Sequence, residues 1–369
     1  MNTVSAVRCD SYDNDTVYNA VKESLHNLNF KLNKKNVLIK PNAVTPLAPE
    51  FTATTHPSIL DAICRILSEN KCEITIGESS GDDKTINAFE AAGIKAIAEK
   101  YGAQLISFEL CKPIKVNISG KILKNAYIAE QVLNADLVIN VPKLKTHAFM
   151  GLSGAVKNLL GVMPGAQKQE MHVRAVSAKE FTQLLIDLYN FLKPELNIID
   201  AVIGMEGGGP VKGRPKKTGY ILAGRDAMAV DIIAMQLVGL EHTYYYKKAC
   251  SILRSKVELK GNIKKLRYRT STNIFDDALF LPRSIKKISR KLAIGRPALI
   301  KGKCDGCGLC NKICGFSAIT LKPYPIFDMN KCIKCYGCYE ICPTDAIFIK
   351  KNIATRLLLK LREKVLSNR

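Results

Sequence analysis

Six short apolar runs rich in Val and Ile punctuate the first two thirds of the chain. They are "NVLIKPN" at 36–42, "EITIGES" at 73–79, "AQLISF" at 103–108, "ADLVINVP" at 135–142, "LNIIDAVIG" at 196–204 and "GYILAG" at 219–224. They are near-continuous, as in strands covered on both faces, and several end in Gly, Pro or Asn. Between them, "HPSILDAICRILSEN", "SAKEFTQLLIDLYNFLKPE" and "DAMAVDIIAMQLVGL" carry apolar residues at helical spacing. Pro194 closes the second of these helices. Strands alternating with helices predict an α/β domain with a mainly parallel sheet over residues 1–245. Such sheets place ligands outside the carboxyl ends of their strands.

Near residue 245 the periodicity fades, and residues 246–295 read as a basic connector. A cysteine-rich module follows over 296–350. In the final segment, 351–369, Ile353, Leu357, Leu361 and Val365 recur every four residues with Leu358 beside them. That pattern predicts a basic amphipathic helix. The net charge of +22 is concentrated in these late segments. Lys247 to Lys303 holds 17 Lys/Arg against 3 Asp/Glu, and Lys350 to Arg369 holds 7 against 1, so the first 246 residues are almost neutral. A basic patch of this kind suits an acidic redox partner protein or, through the tail, a peripheral contact with an anionic membrane. Nucleic acid ranks last, because no reading motif accompanies the charge. No apolar run is long enough to span a bilayer, and "MNTVSAVRCDSYDND" lacks the basic start and apolar core of a secretory signal. A cytoplasmic protein is expected.

Eight of the 13 cysteines fall between Cys304 and Cys342. "CDGCGLCNKIC" places Cys304, Cys307, Cys310 and Cys314 at C-x2-C-x2-C-x3-C, and "CIKCYGCYEICP" repeats the spacing with Cys332, Cys335, Cys338 and Cys342. Every cysteine of the second run lies 28 residues after its counterpart, so the module is an internal duplication. Three cysteines on one tight loop can grip three irons of a cubane, and the fourth points toward the cluster of the other half. Two 4Fe–4S clusters are therefore expected, one on Cys304, Cys307, Cys310 and Cys342, the other on Cys332, Cys335, Cys338 and Cys314. Structural zinc prefers two separated C-x2-C pairs. The five scattered cysteines suit a core.

The segment 296–350 resembles the bacterial two-cluster ferredoxins, with Gly315 where those have proline after the first run. The first 245 residues resemble the family catalogued as domain of unknown function 362. The matching stretches are "NVLIKPN", "IGESSG", "LVINVPKLKTHAFMGLSGAVKNLLG", "IDAVIGMEGGGPVKG" and "GRDAMAVD". The resemblance implies an iron–sulfur protein with a redox role and supplies no substrate.

Candidate chemistry in the α/β part clusters at strand ends. Lys143, Lys145 and His147 follow "ADLVINVP" as candidate catalytic residues, with a basic solvent loop as the plainer reading. "GLSGAVKNLLG" reads as a glycine-containing turn into a helix bearing Lys157 and Asn158, whose N-terminus suits an anionic group. "GMEGGGPVKGRP" offers Gly207, Gly208 and Gly209 for close backbone approach to a ligand, with Glu206 as a base or metal ligand. Lysines 143 and 145 with His147 are expected to face the same cavity as this glycine loop. Lys40, Asn42, Glu78 and Ser79 sit at other strand ends. Asp226 reads as a helix cap, and Asp231 as buried and functional or on the surface. There is no Walker motif or G-x-G-x-x-G. Two readings of function remain open. The clusters exchange electrons with an anionic small-molecule substrate or a cofactor at the α/β domain, as in a ferredoxin-coupled oxidoreductase, or the chain is a non-catalytic electron carrier or assembly factor that docks a partner.

Overall fold

The computed structural model describes residues 2–80, 84–147, 150–175, 177–208, 212–269 and 295–350. Gly209, the connector from 270 to 294 and the tail from 351 to 369 lie outside the described residues. Twelve strands build the first part: β1 (Thr3–Arg8), β2 (Asn36–Lys40), β3 (Glu73–Glu78), β4 (Gln104–Ser107), β5 (Pro113–Asn117), β6 (Asn125–Ala129), β7 (Leu137–Asn140), β8 (Lys143–His147), β9 (Gly151–Ser153), β10 (Leu196–Gly208), β11 (Lys212–Gly224) and β12 (Glu258–Gly261). The main sheet runs β12-β1-β11-β10-β7-β2-β3-β4, and β5 and β6 form a separate hairpin. From β10 to β4 neighbouring strands are parallel, while β11 is antiparallel to both β10 and β1. All six apolar runs form strands of this sheet.

The apolar runs are continuous because both faces are covered. On β2, Val37 and Ile39 enter one core, shared with the helices Asn14–Asn27 and Pro57–Glu69. Leu38, pointing the other way on the pleat, enters a second core, shared with the helices Ala178–Leu192 and Ala227–Val238. Asp226 caps the last of these by accepting from the Ala229 amide at 2.9 Å.

Two segments differ from expectation. Lys143–His147 is strand β8, which pairs with β10 and with β9. Its polar letters hid the strand, because its hydrogen bonds come from distant chain. The sheet also continues past residue 245. The helix Tyr244–Leu253 packs on the body, and β12 pairs in parallel with β1. The first half of the expected connector is thus part of the α/β body.

The cysteine module has its own small core around Cys310, Ile319, Cys338, Cys342, Ala346 and Ile347. Two antiparallel pairs frame it, Arg296–Leu299 with Ile347–Lys350 and Ile319–Leu321 with Pro325–Phe327. The duplication recurs in the backbone. Left-handed φ angles occur at Gly306 and Lys334 (76° and 57°), Gly308 and Tyr336 (72° and 63°), and Ser317 and Asp345 (49° and 51°). Each pair is separated by the 28 residues that separate the cysteines.

Candidate functional site

Strand β2 connects onward to β3 on one side, while β7 connects onward to β10 on the other, so their carboxyl ends flank a topological switch point. A crevice at such a point is where an open α/β sheet binds its ligand. Lys40 ends β2, Glu78 ends β3 and Asn140 ends β7. All three are buried. Lys40 Nζ donates to Glu78 Oε2 at 2.7 Å, and Glu78 Oε1 accepts from the Ser79 amide at 2.8 Å. Gly161 closes over this pair, since a Cβ there would stand 1.9 Å from Glu78 Oε1.

Three asparagines form the floor. Asn158 Nδ2 donates to Asn140 Oδ1 at 2.8 Å, and Asn42 Nδ2 donates to Asn158 Oδ1 at 3.0 Å. That chain turns Asn42 Oδ1 toward Lys145, whose ammonium donates to it at 2.6 Å and to the Ala53 carbonyl at 2.7 Å. Lys145 is 1% exposed, and both of these partners are neutral. Burial, then repulsion from Lys157 and Lys143, pushes its pKa well below the ordinary lysine value. Lys157 is half-buried and makes no hydrogen bond or ion pair with the described residues. Burial, with Lys168 and Lys40 adding repulsion, lowers its pKa to about 8. Lys168 donates to the Ser79 carbonyl and, at 2.9 Å, to Ser79 Oγ.

The other expected residues are placed differently. Lys143 is closed into its own network, donating to Asp200 Oδ2 at 2.8 Å and to the Tyr12 hydroxyl at 2.6 Å. Asp200 also accepts from Tyr12 and from the His56 amide, and the His56 ring stacks on Tyr12 at 3.5 Å between centroids. His147 is buried, and its Nδ1 accepts from the Met150 amide at 3.3 Å. The glycine hairpin is met by Thr146, which alternates with the lysines along β8. Its hydroxyl donates to the Gly207 carbonyl at 3.2 Å. Among the described residues, Lys143 and Lys145 bond to Asp200, Tyr12, Asn42 and Ala53, and the glycine hairpin is reached from this strand by Thr146. Gly207 is held by the Arg269 carbonyl, Gly208 ends β10 opposite Lys212, and Glu206 accepts from Lys216 and the Arg269 amide at 2.9 Å each.

The helix start at "GAVKN" is also occupied. Ala155–Asn158 is one turn long, and its amides at Ala155 and Val156 donate to Asp231 at 2.6 and 3.0 Å. The Tyr245 hydroxyl adds a third bond to Asp231 at 2.6 Å. The anion expected at this N-terminus is the protein's own carboxylate.

The cysteine module docks beside the crevice. The Ala166 amide donates to the Lys334 carbonyl at 2.9 Å, and Gly165 presses on the Cys335 backbone, where a Cβ would stand 2.4 Å from the carbonyl oxygen. Gly337 lies equally close to the Glu109 carbonyl, at 2.5 Å for a Cβ. Lys84 bonds the Cys342 carbonyl at 2.9 Å and pairs with Asp345 at 2.7 Å. Behind this seam Glu109 accepts from Ser79 Oγ, the same hydroxyl that Lys168 reaches. Sequence pattern does not single out Glu109 or Lys168, because the Ser79 hydroxyl that joins them lies 30 and 89 residues away along the chain.

The cysteines fit an iron–sulfur group. Burial raises the thiol pKa of Cys332, Cys335 and Cys338, and Cys314, although it belongs to the first run, lies close enough to add to each rise. Cys310 feels Cys307 and Cys304 in the same way. Left-handed turns within both runs curl the backbone around these groups.

The family described as "Domain of unknown function (DUF362)" matches residues 37–236, and "4Fe-4S binding domain" matches 325–348. Over 244 residues the chain is 28% identical to a thylakoid-associated protein of Synechocystis, covering 65% of this chain and 75% of that protein. Over 51 residues it is 45% identical to an uncharacterized ferredoxin of Methanocaldococcus jannaschii, covering 14% of this chain and 34% of that one. Over 28 residues it is 50% identical to ketoisovalerate oxidoreductase subunit VorD of Pyrococcus abyssi, covering 8% of this chain and 27% of that subunit. A lactate racemase apoprotein structure from Thermoanaerobacterium thermosaccharolyticum aligns with a TM-score of 0.39 at 16% identity, over 59% of this chain and 54% of that one. Among the described residues, no helix is long and apolar enough to cross a membrane.

Proposed function

Because the chain belongs to the DUF362 family and carries a ferredoxin-type 4Fe–4S domain with an iron–sulfur electron-transfer role, we propose that it is a two-cluster redox enzyme that exchanges electrons with a small molecule bound in the switch-point crevice. Each 4Fe–4S cluster, when bound, supplies or accepts one electron. Cys332, Cys335, Cys338 and Cys314 hold the inner cluster, against the body. Cys304, Cys307, Cys310 and Cys342 hold the outer one. The observation that supports this reading is the seam at Gly165–Ala166, where the Lys334–Cys335 backbone meets the segment between Lys157 and Lys168.

The chain's own residues divide the remaining work. Lys40 and Glu78 neutralise each other and fix the carboxyl ends of β2 and β3. The asparagine floor orients Lys145. Lys145 and Lys157 stabilise negative charge that arrives or develops on the bound molecule. With its pKa lowered to about 8, Lys157 also holds a proton that it can exchange close to neutrality. The outer loop faces solvent, with Cys307 exposed and Lys301 and Lys303 beside it, which suits an acidic electron-transfer partner. A carrier or assembly factor whose body only docks a partner would have no use for buried lysines facing neutral groups.

Anaerobic reconstitution followed by iron and sulfide analysis tests the cluster count. Roughly eight irons and eight sulfides per chain are expected from two cubanes. Cys307→Ser should lose about half and keep the inner cluster's spectrum. Four irons in the parent chain, or stoichiometric zinc without iron, refutes it.

A further inference from the structure

The crevice carries buried positive charge that the protein does not balance. Each acidic side chain on its described walls is already engaged. Glu78 is taken by Lys40 and the Ser79 amide. Glu109 is taken by the hydroxyls of Ser79, Thr85 and Ser107. Asp231 is spent on the turn at Ala155–Val156 and on Tyr245. Among the described residues, that leaves two lysines without a carboxylate: Lys145, which bonds an amide oxygen and a peptide carbonyl, and Lys157, which bonds to none of them. On either side of Ala53, which takes Lys145, the buried hydroxyls of Thr52 and Thr54 also lack a hydrogen-bond partner among the described residues. Buried charges and buried hydroxyls are costly unless something satisfies them. A fold held together by these lysines alone would have paired them, as it has paired Lys40 and Lys143.

We propose that the crevice binds a small molecule through a dianionic group, a phosphate ester or a pair of neighbouring carboxylates, with Lys157 and Lys145 as its counter-charges. This deepens the reading above and rests on the crevice being the site that the inner cluster faces. Lys157 is the accessible member and meets the ligand first. Lys145, at the back, is aimed by Asn42 and moves little. Lys168, tied to Ser79 at the seam with the cysteine module, raises the local potential without being free to follow the ligand. Lysine ammoniums act here as point charges, so the site selects charge density more than the planar geometry that an arginine fork would demand.

The test uses the full-length, anaerobically reconstituted protein and two probes, inorganic pyrophosphate and succinate, against sodium chloride at matched ionic strength. Thermal unfolding and titration calorimetry are the readouts. At least one probe should raise Tm saturably where chloride does not, and whichever binds tells phosphate from dicarboxylate. Lys157→Gln should weaken that probe tenfold or more while raising the Tm of the ligand-free protein, because it removes a repelling charge. Lys157→Arg should retain binding. The proposal is overturned if neither probe exceeds chloride. It is also overturned if Lys157→Gln lowers the ligand-free Tm and leaves probe binding unchanged, which would make Lys157 a structural residue. Iron content and dithionite reduction of the same samples report separately on the redox reading, so a failure of either idea is recognised by itself.

Discussion

Gly165→Ala should open the seam between the two parts of the molecule without damaging either. The new methyl would stand 2.4 Å from the Cys335 carbonyl oxygen and 2.6 Å from that of Lys334, where ordinary contact begins at 3.4 Å. The cluster loop must therefore withdraw by about 1 Å. Gly165 also sits at φ +65°, a left-handed conformation that costs a residue with a Cβ roughly 1–2 kcal/mol. Withdrawal breaks the 2.9 Å bond from the Ala166 amide to Lys334, worth about 1 kcal/mol. The docked state should lose about 2–3 kcal/mol in total, which is roughly 30- to 140-fold in the docking equilibrium. Hydrogen exchange at the Ala166 amide reads that equilibrium directly, and its rate should rise by that factor with iron content unchanged. Electron exchange with the crevice ligand should fall in parallel. Unaltered protection at Ala166 would show that the seam does not depend on this contact. Loss of iron together with a global fall in Tm would show that the two parts are not separable.

Lys143→Ala should destabilise the fold by about 3–5 kcal/mol in chemical denaturation, because it strands Asp200 as a buried carboxylate without a counter-charge. Unchanged stability would refute the reading of Lys143 as a closed structural pair. Lys157 also predicts how stability depends on pH. Its folded pKa of about 8 lies below the ordinary 10.5, so between those values the unfolded chain binds more protons. Stability of the ligand-free protein should rise with pH across that window, with the penalty fully present below it, and Lys157→Gln should flatten the rise. Glu78 opposes the shift while Lys40 and Lys168 enlarge it, so a flat parent curve would mean that the Lys157 ammonium is hydrated as in free solution.

The central sheet was legible because strands covered on both faces carry continuous apolar runs, as Val37–Ile39 of β2 and Leu137–Ile139 of β7 do. Strand β8 was not. Lys143, Lys145 and His147 give it the letters of a wet loop, and its strand character comes from β10, more than fifty residues later. The same distance hid the division of labour among the lysines. Two residues apart on one face, Lys143 and Lys145 look equivalent, yet Asp200 captures only the first. Lys40, Asn42, Glu78 and Ser79 could be marked as strand ends. The pairing of Lys40 with Glu78 and of Asn42 with Asn158 depends on strand order in the sheet, which local pattern does not encode. The helix start at Ala155 reads as an anion site, and its occupant, Asp231, lies 76 residues away in a segment that reads equally well as surface. The cysteine spacing was legible because ligand geometry is local to each loop.

The repeated left-handed positions of the cysteine module have aged unequally. Where the outer half keeps Gly306 and Gly308, the inner half has Lys334 and Tyr336. The Lys334 carbonyl is bound by Ala166, and the Tyr336 hydroxyl donates to Gly295 at 2.9 Å. The two halves of the duplication are held unequally: the inner one is fixed to the neighbouring domain through its backbone, while the outer one meets it through the Phe316 ring edge-on to Tyr127 at 5.4 Å between centroids. Inheritance can therefore act on them separately. The inner half must change in step with Gly165 and Glu109 or not at all.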